Sequence, residues 1–281
     1  MKSNIFIAFI LVLTMYIQVF PSIPVDGNKL VNTKIIADYK NLKPGMDFKL
    51  GIILTPEKKW HTYWQNPGDA GLPTTVDLIL PDGIKAGDII WEQPMKFPFA
   101  GMANFGYDGQ SFLTIPVSIS KDFKGNELKI EAKVSWLACN EECVPGSSDI
   151  ILKLPVSNSE PEIDNQNQDI FNKSLEKHSI NNSDITVKAV KTGDDLVELE
   201  IKLPEYLKNI SKLEFFPIES GSFDNGSEQV FTKNGCNVFL KLKFDKYREK
   251  DPVRVYGILV SDEPLSKDLP NKSVFINVDI K

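Results

Sequence analysis

The sequence predicts an all-β protein made of two tandem immunoglobulin-like antiparallel β-sandwich domains. Three observations carry that reading. Apolar residues alternate with polar ones, or β-branched residues dominate, in short runs on both sides of one polar break. Turn residues separate the runs. The second half holds seven such runs in about 100 residues, the number of strands in an immunoglobulin-like sandwich.

Taken in order, the chain opens with Lys2 and then a mostly apolar run from Ile5 to Phe20. One positive charge ahead of an apolar core is the pattern of a secretory signal peptide, assigned to residues 1–27 with the cut after Gly27. Left uncut, the run has about the length that just spans a bilayer and would anchor the protein. No later stretch is apolar enough to cross a membrane, so the rest of the chain is expected outside the cytoplasm, where disulfides persist.

Residues 28–156 form the first expected sandwich. Its clearest strands are DFKLGIILT (Asp47 to Thr55), TTVDLIL (Thr74 to Leu80), FLTIPVSIS (Phe112 to Ser120) and LKIEAKVSWLA (Leu128 to Ala138). In the last of these Ile130, Ala132, Val134 and Trp136 share a face, which belongs in the core. The stretch from Ser157 to Asp169 is polar and aperiodic and reads as a linker. IFNKSLEKHSI then suggests a short helix. The seven strand-like runs of the second sandwich, residues 170–281, follow from DITVKAV to SVFINVDI. PVRVYGILVSDEP stands in the second sandwich where LKIEAKVSWLACNEECVP stands in the first, but without cysteines.

The 281 residues carry a formal charge of −6, with 42% apolar and 25% charged residues. That composition is globular, and the absence of a basic run argues against nucleic acid as a partner.

SWLACNEECVPG (Ser135 to Gly146) carries the chemistry. Cys139 ends a strand and Cys143 begins the next, around the three-residue loop Asn140-Glu141-Glu142. Residues flanking such a hairpin loop stand about 4.5–5.5 Å apart at Cα, and a disulfide accepts about 4.4–6.8 Å. Three readings are open. The pair can be a structural staple, common in exported domains, although so short a ring constrains little of the unfolded chain. It can bind a soft ion such as Cu(I), with Met95 and Met102 as further ligands; only His61 and His178 are present as histidines, and zinc would lack ligands. Or it can be redox-active, since a short bond at a loop tip is within reach of another thiol. Glu141 and Glu142 oppose thiolate formation and would keep the pair quiet until a partner docks. Cys236, at the start of an apolar strand, is expected to be buried and inert.

Three blocks, KWHTYWQNPGDAGLPTTVDLILPDGI, FPFAGMANFGYDGQSFLTIPVSI and SWLACNEECVPG, together resemble the amino-terminal periplasmic domain of the DsbD family of thiol:disulfide interchange proteins, including its copper-tolerance-linked ScsB-like branch. The resemblance covers about Lys40 to Val156 and continues more loosely through LEFFPIESG and VYGILV. It implies a periplasmic thiol:disulfide oxidoreductase of immunoglobulin-like fold, with Cys139 and Cys143 as the catalytic pair. Electrons would come from a membrane donor and pass to thioredoxin-like periplasmic proteins through mixed disulfides, as in cytochrome c biogenesis. It also implies that Phe99, before Gly101, tips a loop covering the cysteines, and that His61 and Tyr63 stand beside them, with His61 able to relay a proton. No cofactor or metal is implied. The sequence as given ends at Lys281 without a membrane domain or a thioredoxin-like C-x-x-C, so the donor is expected to be a separate polypeptide. The alternative function is a binding or chaperone-like module whose disulfide is only structural.

Overall fold

The computed structural model describes residues 25–99 and 102–281. Most of the expected signal peptide therefore lies outside the described residues, which contain no helix long and apolar enough to cross a membrane. Gly27 is buried against the β10–β11 hairpin at Pro145, and exposed Asp26 caps a 3₁₀ turn over Gly27–Lys29.

The first half contains β1 (Val31–Ala37), β2 (Asp47–Pro56), β3 (Thr62–Gly68), β4 (Thr75–Ile79), β5 (Ile84–Ala86), β6 (Ile90–Trp91), β7 (Met95–Phe99), β8 (Met102–Tyr107), β9 (Ser111–Ile119), β10 (Glu127–Cys139) and β11 (Cys143–Pro155). Helix α1 (Asn165–Leu175) follows. The second half contains β12 (Thr186–Lys191), β13 (Leu196–Lys202), β14 (Leu213–Pro217), β15 (Val230–Asn234), β16 (Asn237–Lys243), β17 (Arg254–Ser261) and β18 (Ser273–Asp279).

Two sheets in the order β1-β2-β9-β5 and β11-β10-β4 enclose the first core, and β12-β13-β16-β15 and β14-β17-β18 enclose the second. Both have an immunoglobulin-like arrangement of two facing sheets: five strands against three in the first, where short β6 also pairs with β9, and four against three in the second. Period-two burial closes each core. Ile130, Ala132, Val134 and Trp136 point inward from β10, and Val197, Leu199 and Ile201 from β13. The central strands β10 and β17 are equivalent in position: each pairs with its successor and with the first strand of its sheet.

The first sandwich carries an insertion absent from the second, the sheet β3-β8-β7. Gly106 makes its close approach possible, because a Cβ there would stand 2.0 Å from the Thr62 carbonyl oxygen. The bulge between Tyr63 and Gly68 broke the alternation on which the strand reading depended.

The expected linker is shorter than the sequence suggested. The Asp164 carboxylate accepts the Asn167 amide hydrogen at 3.2 Å and starts α1 at Asn165, not at Ile170, and the helix stops at Leu175. Upstream, Ile163 bridges to Tyr39 and the Asp164 amide donates to the Asp38 carbonyl at 3.0 Å. The polar residues NQNQD hid a helix held by one buried ring, Phe171, which packs edge-on against Phe112 at 5.0 Å.

Cys236 is half-buried rather than buried. It sits in the β15–β16 turn and donates to a Glu205 carboxylate oxygen at 3.3 Å. That bond raises the thiol's pKa and keeps it protonated.

Candidate functional site

The β10–β11 hairpin is paired without interruption from Glu127 and Pro155 to Cys139 and Cys143 at its tip. The two cysteines are disulfide-bonded with Cα atoms 4.1 Å apart, somewhat closer than the sequence argument anticipated. The turn is tightened by a bond from the Asn140 amide to the Glu142 carbonyl at 3.0 Å.

The two sulfurs live in different surroundings. Cys139 is fully buried and Cys143 is exposed. The cause is local. Beyond the end of β4, His61 takes over as the strand-like neighbour of Cys139. The two exchange backbone hydrogen bonds of 3.0 and 3.1 Å. Cys139 is thus enclosed on both sides, while Cys143 lies at an open edge beside exposed Glu141 and Glu142.

Tyr63, two residues along on the same face, is completely buried. Its hydroxyl donates to Cys139 Sγ at 3.1 Å and lies 4.0 Å from Cys143 Sγ. Burial raises the phenol's pKa, so the group stays a donor at neutral pH. Thr74 Oγ1 donates to the Tyr63 carbonyl at 3.0 Å, and Gly71, at φ +102°, passes so close that a Cβ there would meet the ring at 2.4 Å. The His61 ring stands edge-on to Tyr63 at 5.4 Å and to Phe97 at 4.3 Å. Burial lowers the His61 pKa, with Asp108 opposing, so the imidazole is neutral at pH 7.

The structure therefore gathers Cys139, Cys143, His61, Tyr63, Glu141 and Glu142 at one end of the first sandwich. Phe99 ends β7, and its side chain lies outside the described residues. Among the described side chains, Phe97, two positions earlier, is an aromatic ring placed against His61 and Tyr63, and sequence reasoning passed over it. The signal was available: Phe97 lies in the same FPF stretch of the sequence. Met95 and Met102 are exposed, and no cluster of three or more His, Cys, Asp or Glu placed to hold a metal occurs among the described residues.

Fold and site define an immunoglobulin-like domain with a disulfide at a hairpin tip, one sulfur shielded and hydrogen-bonded, the other open. Residues 28–155 match the family model "Thiol:disulfide interchange protein DsbD, N-terminal". That match covers just under half of the chain and, with the Cys139–Cys143 disulfide, supports a thiol–disulfide interchange module. Among solved structures, the N-terminal periplasmic domain of ScsB from Proteus mirabilis is similar across both sandwiches. It aligns with a TM-score of 0.64 at 16% identity, over 92% of this chain and 96% of that one. The DsbD N-terminal domain of Neisseria meningitidis in its reduced form covers 49% of this chain and 94% of its own length, at 10% identity and a TM-score of 0.31. No curated protein sequence matches the chain.

Proposed function

We propose that the protein is an exported electron relay. It takes two electrons from a membrane-linked thiol donor and passes them to oxidised thioredoxin-like proteins in the periplasm. The unequal exposure of Cys139 and Cys143 carries this reading. A donor thiolate reaches Cys143 Sγ, forms an S–S bond to it and breaks the bond to Cys139. The electron pair leaves on Cys139 Sγ, where the Tyr63 hydroxyl stabilises the thiolate. The donor's second thiolate then attacks its own sulfur in the mixed disulfide. It departs oxidised, and both cysteines remain reduced after proton uptake. In the return step the Cys143 thiolate attacks the acceptor's disulfide and Cys139 resolves the intermediate. Neutral His61, packed against Tyr63, suits the transient acceptance of a proton during exchange.

The test uses single-cysteine variants with Cys236→Ala as background. Cys139→Ala leaves the exposed attacking thiol without its resolving partner and should accumulate a mixed disulfide with an oxidised thioredoxin-like protein. Cys143→Ala should trap far less, because its remaining thiol is buried. Trapping by neither variant, together with a large loss of thermal stability on reducing the wild type, would make the bond a staple and overturn the relay.

A further inference from the structure

We propose that the second sandwich is a positioning element of the redox site, acting through the inserted sheet β3-β8-β7. The inference rests on the Cys139–Cys143 bond being the working group of the protein.

The inserted sheet has two faces, and strand alternation assigns them. One face carries Tyr63 from β3, whose hydroxyl meets Cys139 Sγ, and Phe97 from β7, which packs against Tyr63 and His61. The other carries Trp64, Phe105 and Tyr107, buried in a cluster with Phe216 of β14 and Ile258 of β17. Phe105 and Phe216 meet edge-on at 5.0 Å, and Lys96, next to Phe97, pairs with Glu214 at 3.8 Å. The second sandwich contributes the outward face of its own three-strand sheet. On β14, Leu213 and Phe215 point into its core while Glu214 and Phe216 meet the insertion.

Two polar ties fix the same contact. Asn66 Nδ2 donates to the Pro217 carbonyl at 2.8 Å, wholly buried. Asn225 Nδ2 donates to Asp69 Oδ1 at 3.0 Å, while Asp69 Oδ2 accepts the Ala103 amide hydrogen at 2.9 Å. Asp69 thus couples Asn225 of the second sandwich to the start of β8. Neither tie is needed to close the first core, whose cluster contains no residue of β3, β7 or β8. A sheet only three strands wide lies between the second sandwich and the disulfide. Loosening its back releases the front, where Tyr63 and Phe97 shield Cys139.

The experiment reads access to Cys139 in the full chain, with Cys143→Ala and Cys236→Ala making Cys139 the sole thiol. Asn225→Ala combined with Glu214→Gln should raise its second-order rate of alkylation by N-ethylmaleimide about three- to tenfold, within the lower part of the range of coupling between contacting groups. Phe216→Ala should do the same if it folds; the polar pair of substitutions stands without it. In a Phe97→Ala background the same substitutions should add less than about twofold, because the shield they act through is already gone. An alkylation rate unchanged by the polar substitutions, or an equal increase in both backgrounds, would overturn the proposal. Alkylation reads shielding alone, so this outcome is separate from whether single-cysteine variants trap a partner.

Discussion

Removing one oxygen atom, by Tyr63→Phe, should slow reduction of the disulfide without loosening the fold. The hydroxyl is 3.1 Å from Cys139 Sγ and is fully buried. In the oxidised state it meets a sulfur that accepts hydrogen bonds weakly, and its loss costs little stability, about 1 kcal/mol or less. As the bond breaks, negative charge grows on that sulfur, and a hydrogen bond to a full charge contributes about 1.5–3 kcal/mol. With about half the charge developed in the transition state, about 0.8–1.5 kcal/mol is lost, a slowing of about 4- to 12-fold. Phenylalanine keeps the ring and fills the same space, so packing is preserved. The assay is the second-order rate constant for reduction by dithiothreitol, with acid quench and alkylation, alongside thermal unfolding. An unchanged rate in a folded variant would refute the argument that the Tyr63 hydroxyl stabilises the leaving thiolate.

Two further perturbations follow from the same geometry and from the junction of the halves. Gly71→Ala places a methyl group against the Tyr63 ring at a left-handed φ; it should cost about 1–3 kcal/mol and bring the reduction rate down towards that of Tyr63→Phe, and a destabilised protein with a wild-type rate would separate the ring from the chemistry. His178, buried and bonded to Ser174 Oγ at 3.1 Å, has its pKa lowered by burial, with a smaller contribution from Lys49, to about 4. Because the folded value lies below the unfolded 6.5, its stabilising neutral form is complete above about pH 6.5 and the contribution is lost as pH falls towards about 4, by up to about 3 kcal/mol. Neighbouring Glu92, its pKa raised by burial, works in the opposite direction and offsets part of this. His178→Gln should therefore lose less stability than wild type between pH 7 and pH 4 in urea unfolding, and an equal loss would assign the acid sensitivity elsewhere.

Each sandwich was legible wherever one strand face is buried and the other wet. The alternation in Leu128 to Ala138 marked the core face of β10, and all seven runs of the second half became strands. The insertion was harder to read. TYWQNPG is buried on both faces near its start and bulged beyond, so Tyr63 and Trp64 gave no alternation although they face opposite partners. Helix α1 was misplaced because its start depends on one capping carboxylate, and its only fully buried ring contact is Phe171. At the site, sequence spacing brought Cys139 and Cys143 together, but their unequal exposure comes from His61, 78 positions before Cys139 in the chain. No local pattern encodes such a pairing. Phe97 was missed for a related reason: its contact with His61 and Tyr63 depends on strand pairing between segments about 30 residues apart.

The unbroken ladder from Glu127 to Cys139 bears on redox equilibrium as well as on structure. Oxidation and folding form a closed thermodynamic cycle. The amount by which the bond stabilises the fold must equal the amount by which folding favours the bond. Here the hairpin holds its register through backbone hydrogen bonds, and the covalent link closes a ring with a sequence separation of only 4, so the entropic part of both quantities is small. Chain topology therefore contributes little to the reduction potential. What distinguishes this potential from that of a short free peptide resides in the few groups around the sulfurs: the burial of Cys139, the Tyr63 hydroxyl and the carboxylates of the turn. The same sandwich can be retuned along a redox scale by changing those side chains alone, with its folding left almost untouched.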